Sequence, residues 1–117
     1  NGLPLSMTRQ CSEVTLQGGP LPLDQMECIS GGNNNFFFEV QEDNTTLYIS
    51  TTGGTGNADL FYNPDTWATP QNAQASSVSE DNEEVLVVTA NRGLRYISVG
   101  SRTGYELAGI TVSIGRQ

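Results

Sequence analysis

The sequence predicts an all-β domain built as an antiparallel β-sandwich. Two features support this fold class: short segments alternate apolar with polar residues, and turns rich in Gly, Asn and Asp separate them. No window repeats apolar residues at helical spacing. The 117 residues leave room for one domain, and we expect residues 1–10 to be a linker and residues 11–117 to be the domain.

The first 35 residues are the least regular part of the chain. Pro and Gly residues between positions 4 and 22 interrupt any repeating pattern. We therefore expect residues 11–35 to form an irregular or edge region. The asparagine triplet at residues 33–35 is typical of a turn.

Regular alternation begins at Phe36. Period-two patterns predict three strands, over residues 36–40, 45–51 and 58–62. Within the second of these, Tyr48 is opposite in phase to Leu47 and Ile49, so Tyr48 should face solvent. A long polar loop over residues 63–82 follows.

Three further strands follow this loop, over residues 84–89, 94–99 and 109–114. The first is apolar on both faces, which is typical of a central strand. The other two alternate, as expected of strands with one buried face. The run at residues 100–104 between them, rich in Gly and Ser, predicts a turn.

The composition excludes several kinds of catalysis. The chain has no His and no Lys, and its five basic residues are all Arg. Ser-His and Cys-His nucleophiles, Schiff-base lysines and P-loop lysines are therefore excluded. We expect that the chain is not an enzyme.

The net charge of −8 repels phosphate backbones, so we expect no nucleic-acid partner. The longest apolar runs have three or four residues, so we expect no membrane insertion. Residues 91–117 hold four of the five Arg and one acid, Glu106. A compact fold would neutralise this basic segment against the acidic remainder.

Cys11 and Cys28 are the only cysteines. Without His they cannot complete the usual zinc site, and their spacing is not that of a redox CxxC motif. We favour a structural disulfide over reactive thiols. Closing this loop stabilises the fold by about 3 kcal/mol in the chain-entropy model, and a disulfide implies a location outside the cytosol.

Residues 47–61 join an alternating strand, a Gly-Gly-Thr-Gly turn and the run Asn-Ala-Asp-Leu-Phe. This order resembles the signature of the bacterial pre-peptidase C-terminal domain. Asn82-Glu83 resembles the Asn-x-Glu element of that family, and residues 93–99 and 109–112 resemble its last two strands. The resemblance spans about residues 34–115.

The resemblance implies a jelly-roll-like sandwich on the C-terminal side of a secreted bacterial protease or collagenase. Such domains are non-catalytic and are associated with binding insoluble or macromolecular substrate, such as collagen. We therefore expect a secreted monomer with two partners, a tethered upstream catalytic domain and an insoluble protein substrate. The alternatives are a carbohydrate-binding module that takes polysaccharide, and a structural or secretion-assisting domain with no ligand.

Two departures from the family pattern bear on the disulfide and on calcium. Val85 stands where many members carry a Cys, so a Cys11–Cys28 bond would be a different link. Asn57 replaces the first Asp of the family's Asp-Ala-Asp run, and residues 1–35 contain no convincing copy of the calcium-binding linker of collagenase modules.

Exposed aromatic residues are the best candidates for substrate binding, because they stack on sugar rings or proline-rich segments. Trp67 lies in a polar loop, where it either binds ligand or anchors the loop, while Phe36, Phe38 and Tyr96 are expected in the core. Arg95 and Arg102 would add hydrogen bonds. The predicted substrate-binding residues are Tyr48, Tyr62, Trp67, Arg95, Arg102 and Tyr105.

Two groups of acidic or amide side chains are weaker candidates. Asn57 and Asp59 share one face of a strand entry and would supply oxygen ligands to Ca²⁺. We favour the alternative that Asp59 fixes the turn through backbone hydrogen bonds. The cluster Glu80, Asp81, Glu83 and Glu84 is interpreted as a solvated turn rather than a glycosidase pair or a calcium site, with a structural role for Glu83, paired with a C-terminal Arg.

Overall fold

The computed structural model describes residues 11–78 and 82–115, and those residues form β-strands and no helix. The long strands coincide with the alternating segments, since period-two patterns bury one face of each strand. The strands in chain order are β1 (Gly19–Pro20), β2 (Glu27–Val40), β3 (Thr45–Thr52), β4 (Thr55–Gly56), β5 (Asp59–Asn63), β6 (Ala75–Ser77), β7 (Glu84–Ala90) and β8 (Gly93–Ile114).

β2 and β8 form the spine of the sheet. They pair antiparallel from Glu27 opposite Ile110 to Val40 opposite Gly93. β5 and β6 extend the sheet beside the first part of β8, and β3 and β7 extend it beside the last part. Because the buried residues of both parts belong to one core, the sheet bends into two layers that face each other.

We call β1, β5 and β6 with residues 33–40 and 93–100 the first layer. The second layer is β3 and β7 with residues 27–29 and 109–114. The predicted all-β class is confirmed. The sheet is mixed rather than wholly antiparallel, because β1 runs parallel to β2, with Gly19 opposite Phe36.

Extra residues in β8 accompany the bend between the layers. Asn33 lies opposite Gly100, and Gly31 lies opposite Tyr105, so one residue of β2 faces the four residues 101–104 of β8. The sequence predicts a turn here that separates two strands. That prediction is wrong in its topology, because β2 continues alongside and holds both ends of the segment in one strand with a bulge.

The bulge has its own local hydrogen bonds. The Ser101 hydroxyl oxygen accepts the backbone N–H groups of Thr103 and Gly104 at 3.1 and 2.8 Å. Gly31 and Gly104 have φ values of 136° and 91°, a region open to Gly and costly for other residues. The turn-forming residues thus make a tight local turn within the strand, and this part of the turn prediction is confirmed.

One apolar core lies between the layers. Phe36 and Phe38 belong to it, as predicted. Tyr96 does not, since its neighbour Ile97 takes the inward position and alternation turns Tyr96 to the outer face, half-buried. The fully buried side chains include Phe36, Val40, Ile29, Leu47, Ile49, Leu60, Tyr62, Ile97, Val99, Ile110 and Val112.

The asparagine triplet is extended within β2 rather than forming the predicted turn. The buried Asn34 explains the difference, because its amide N–H donates to the Gln17 carbonyl at 2.7 Å and its Oδ1 accepts from the Tyr105 hydroxyl. The same hydroxyl contacts the Val99 carbonyl at 2.8 Å. A buried polar network therefore replaces the turn's own hydrogen bonds.

β7 is an edge strand, not the predicted central one. Among the described residues it pairs with β3 alone. Leu86 faces the core, and Glu84 is buried with its carboxylate accepting from the Ser77 hydroxyl at 2.5 Å. Val85 and Val87 face outward and are 63% and 58% exposed.

Asn82 holds the Gly-rich turn against the start of β5. Its Oδ1 accepts the Ala58 N–H at 2.7 Å, and its amide donates to the carbonyls of Gly53 and Thr55 at 2.8 and 3.0 Å. Next to it, the Glu83 carboxylate accepts the Gly53 N–H at 2.9 Å. Glu83 therefore has the predicted structural role, here toward the turn.

The predicted disulfide is present. Cys11 and Cys28 are bonded, with their Cα atoms 5.6 Å apart. The proposed linker at residues 1–10, and Glu80 and Asp81 of the acidic cluster, lie outside the described residues.

We predict that Asn82→Ala lowers the free energy of unfolding by about 2–4 kcal/mol, because it leaves a buried N–H and two carbonyls without their partner. Urea unfolding measures this change. Asn91→Ala, which removes one exposed bond to the Asn44 N–H, should cost less than about 1 kcal/mol. Equal losses in the two variants would contradict the role given to Asn82.

We also predict that the melting temperature falls as the pH rises above about 10. Burial raises the pKa of Tyr105 and of Tyr62 above the ordinary value of 10.0. The unfolded chain then releases these protons at a pH where the folded chain keeps them, so alkali favours unfolding.

Thermal melting between about pH 9 and 11 measures this fall. Tyr62→Phe should flatten it without loss of stability at neutral pH, because the Tyr62 hydroxyl has no hydrogen-bond partner among the described residues. Tyr48→Phe, at an exposed position, is the control. An identical fall in all three proteins would show that other groups cause it.

Candidate functional site

A cleft of about 960 Å³ opens on the outer face of the first layer. Its floor is formed by outward residues of β2, β5 and β8, and the loop between β5 and β6 forms one wall. The lining residues are Gly32, Asn33, Asn35, Asn57, Asp59, Phe61, Trp67, Ala68, Thr69, Pro70, Val78, Ser98, Gly100, Ser101 and Arg102.

Trp67 lines the cleft from the loop between β5 and β6. Its ring lies 5.9 Å from Phe37 in an edge-to-face arrangement and 5.2 Å from Tyr96 in a tilted one. Phe37 and Tyr96 are cross-strand partners of β2 and β8, so the sheet fixes their positions. Trp67 remains 47% exposed. It therefore anchors the loop through these ring contacts, while about half of its surface stays exposed at the cleft.

Two asparagines hold the loop that carries Trp67. The buried Asn63 accepts the N–H groups of Asp65 and Thr66 at 2.8 and 3.1 Å and donates to the Asn72 carbonyl at 2.8 Å. Asn72 donates to the Trp67 carbonyl at 3.0 Å. The loop is thus ordered by its own hydrogen bonds. A loop that is already ordered loses less conformational entropy when a ligand binds.

Arg95 supports the same loop from behind and does not line the cleft. Its guanidinium donates to the carbonyls of Asn91 and Arg92 in the β7–β8 turn and of Leu94 at the start of β8. It also donates to the Pro64 carbonyl at 2.8 Å. The N–H groups of this guanidinium are therefore engaged by backbone carbonyls. The structure points to a positioning role for Arg95 in place of the predicted ligand contact.

Arg102 is exposed and lies at the cleft, within the bulge in β8. The floor near it carries neutral amide and hydroxyl groups, from Asn33, Asn35 and Ser98. Asp59 lines the same cleft, so the opening presents both signs of charge. These groups can donate to and accept from a polar ligand.

Tyr62 and Tyr105 do not meet the expectation of exposed aromatics. Tyr62 is fully buried in the core. Loss of water around its hydroxyl raises the pKa of Tyr62, and the positive charge of nearby Arg95 lowers it to a smaller extent. Tyr105 is also buried, and its hydroxyl donates a hydrogen bond to Asn34. Tyr62 takes an inward position of β5, and Tyr105 is buried where the spine strands bend.

Tyr48 is 47% exposed, as its phase predicts, but lies on the outer face of the second layer. Of the predicted binding residues, the cleft brings together Trp67 and Arg102, with Asn57 and Asp59 of the calcium pair.

Sequence reasoning missed Phe37, Phe61 and the cleft asparagines. Phe37 alternates out of phase with Phe36 and Phe38, and that phase was the available signal for an outward aromatic residue. The triplet at residues 33–35 is typical of a turn, and a turn does not predict the shared outward face of Asn33 and Asn35.

The two side chains of the predicted calcium pair lie together at the cleft. Asn57 and Asp59 both line it, and the Asn57 Oδ1 is buried without a hydrogen-bond partner among the described residues. Ca²⁺ takes six to eight oxygen ligands, and residues 11–78 and 82–115 contain no group of three or more His, Cys, Asp and Glu that could hold a metal ion. The pair supplies one amide and one carboxylate oxygen, and the calcium site stays a prediction.

The cleft combines exposed aromatic surface from Trp67, amide and hydroxyl groups that form hydrogen bonds, and one residue of each charge, Arg102 and Asp59. A concave surface with these groups can hold a polar ligand that carries an apolar ring. The fold and this cleft together define a β-sandwich domain with a candidate binding cleft.

The chain belongs to the family of the bacterial pre-peptidase C-terminal domain, whose model matches residues 29–101, more than half of its length. This family is a non-catalytic accessory domain that accompanies peptidase domains. The family and the disulfide indicate a location outside the cytoplasm. None of the curated proteins matches the chain.

Two solved structures have the same fold. The pre-peptidase C-terminal domain of a collagenase from Bacillus anthracis has a TM-score of 0.58 at 16% identity, covering 86% of this chain and 99% of that one. PliG, a periplasmic inhibitor of g-type lysozyme from Aeromonas hydrophila, has a TM-score of 0.54 at 17% identity, covering 85% and 96%. At these identities the likeness concerns the fold alone.

No helix in the described residues is long and apolar enough to cross a membrane.

We predict that Asn72→Ala loosens the Trp67 loop, because it removes the donor to the Trp67 carbonyl and the acceptor of the Thr69 N–H. Trp67 is the single Trp of the chain, so its emission reports the loop directly. The emission maximum should shift to longer wavelength and the anisotropy should fall. The unfolding free energy should change by about 1 kcal/mol.

Gln71→Ala, at the exposed neighbouring position, is the control and should leave the spectrum unchanged. An unchanged spectrum in Asn72→Ala would mean that the contacts with Phe37 and Tyr96 alone hold Trp67 in place.

Proposed function

We propose that this domain binds the insoluble protein substrate of a secreted hydrolase, a collagen-like polypeptide, and holds it near a tethered catalytic domain. The observation that carries the proposal is the pairing, in one cleft, of a half-exposed Trp67 with a floor of amide and hydroxyl groups.

The chemistry of the cleft suits an extended polypeptide. Prolyl rings of a polyproline II segment stack on aromatic side chains, and such a segment leaves its carbonyls free to accept hydrogen bonds. Trp67 supplies the aromatic surface, and Asn33, Asn35 and Arg102 supply donors along the floor and rim. The ordered loop keeps Trp67 in place before the substrate arrives.

Binding through one such cleft should be weak, and weak binding suits this role. A module on the same chain as a catalytic domain raises the local concentration of substrate without a tight complex. A solid substrate with many equivalent sites lets the module release and rebind as cleavage proceeds. Secretion follows from this role, since the substrate is extracellular.

We predict that the domain is retained on fibrillar collagen and not on chitin or cellulose in a sedimentation assay. Trp67→Ala should weaken retention about tenfold, the effect typical of a central aromatic residue in an interface. Arg102→Ala should weaken it less, because an exposed charge contributes little. Tyr48→Ala, on the other layer, is the matched control and should bind normally.

Two results would contradict the proposal. Retention on a glycan that depends on Trp67 would make the cleft a carbohydrate site. No retention on any of the three solids would favour a structural or secretion-assisting domain.

A further inference from the structure

Two glycines at the cleft are not required by the fold. A fold requires glycine where φ is positive or where a Cβ would collide with a neighbouring atom. Every other glycine of the described residues has a positive φ, or its Cβ would lie within 3.1 Å of a neighbour. Gly32 and Gly100 meet neither condition. A Cβ on them would lie no closer than 3.8 Å to the Ser101 carbonyl oxygen and 3.5 Å to the Phe61 ring, so alanine fits at both positions.

These two glycines adjoin each other. Gly100 of β8 lies opposite Asn33 of β2, the residue after Gly32. A Cβ on Gly100 would lie 3.9 Å from the Gly32 carbonyl oxygen. Both glycines line the cleft, so bare main chain forms this part of its floor. We call the main chain of Gly32 and Gly100 the bare patch.

The neighbouring bulge does not explain the bare patch. The bulge has its own glycines at positive φ, Gly31 and Gly104, whereas φ is not positive at Gly32 or Gly100. Within a strand, glycine is less stabilising than alanine because it loses more backbone freedom on folding. A glycine that its strand does not need indicates a place where another backbone approaches closely.

The groups beside the bare patch suit a peptide main chain. Gly100 pairs with Asn33 on one side and with Asp59 on the other. The Cα atoms of Asn33 and Asp59 are therefore roughly 10 Å apart, two strand spacings. An amide can donate to a peptide carbonyl and accept from a peptide N–H, and a carboxylate can accept from a peptide N–H.

One extended segment can reach both the bare patch and Trp67. Gly100 and Tyr96 are four residues apart on β8, roughly 13 Å. The Trp67 ring lies 5.2 Å from the Tyr96 ring. Since a polyproline II segment advances about 3.1 Å per residue, a segment with one ring on Trp67 places a residue about four positions away over the bare patch.

We propose that the main chain of the bound polypeptide passes over the bare patch at van der Waals distance, so that Gly32 and Gly100 determine which segments fit the cleft. This inference rests on the proposed function of the cleft. A segment with a small residue at this point settles against the floor, whereas a bulky side chain there holds the segment away from Trp67. The cleft therefore selects proline-rich segments that also carry glycine or alanine.

The test adds one methyl group to the bare patch of the full 117-residue chain and measures sedimentation with fibrillar collagen. Gly100→Ala should weaken retention about tenfold, because the added methyl overpacks a close contact. Gly32→Ala should weaken it in the same way. The urea midpoint of each variant should equal or exceed that of the unsubstituted chain, because alanine is the better strand residue.

Ser113→Thr is the matched control. It also adds one methyl group to an outward position of β8, but on the second layer, beside Tyr48. This variant should be retained like the unsubstituted chain. Equal weakening in Ser113→Thr and Gly100→Ala would overturn the inference, because retention would then not depend on the cleft floor.

The other outcomes separate this inference from the proposed function. Normal retention of both glycine variants would overturn the inference and leave the proposed function standing. A urea midpoint that falls together with retention would show that the fold needs these glycines, which also overturns it. If the unsubstituted chain is not retained on collagen, both the proposed function and the inference are wrong, since no polypeptide passes over the bare patch.

Discussion

The antiparallel pairing of β2 with β8 is the constraint on which the rest of the structure depends. Both strands run through the two layers. β1 pairs with β2, whereas β3, β4 and β5 pair with β8, and β6 and β7 pair with β5 and β3. Four residues of β8 face one of β2 at the bend. The bend directs the first part of β8 toward β5 and the last part toward β3, so that both layers enclose one core.

The bend also explains where polar groups become buried. Tyr105 follows the bulge directly and points inward, where its hydroxyl meets Asn34 and the Val99 carbonyl. Those contacts join both sides of the bulge to β2. A buried hydroxyl is costly when unpaired and specific when paired, so this network favours the bent arrangement over a shifted register.

Much of the fold was readable from the sequence, because strand alternation is a local property. The alternation correctly predicts Phe36 and Phe38 in the core. It also predicts Tyr48 on the face opposite Leu47 and Ile49, and Tyr48 is exposed where those two are buried. The errors arose where burial depends on partners distant in sequence. Val85 and Val87 are apolar like the residues of a central strand, yet nothing local indicates that β7 is the last strand of the sheet.

The candidate site was less predictable than the fold, for a related reason. Residue type alone identifies Trp67 and Arg102 as cleft candidates. An aromatic side chain near a strand end can equally pack in the core, and Tyr62 and Tyr105 do so. The cleft exists because the Asn63–Asn72 bonds fold the loop over the outer face of the first layer. Single asparagines in a polar loop carry no signal of that kind in the sequence.

The two outer faces of the molecule differ in the surroundings of their exposed aromatic side chains, and this difference supports separate roles for the two faces. On the first layer, Trp67 is held by two aromatic neighbours and by a loop with its own hydrogen bonds, so its exposure is maintained by structure. On the second layer, Tyr48 stands among valines and small hydroxyl residues. An aromatic residue held rigidly beside donors and acceptors is suited to a ligand that must be recognised repeatedly. On the second layer, the exposed Val85 and Val87 lie on the edge strand β7, where apolar side chains favour pairing with other chains.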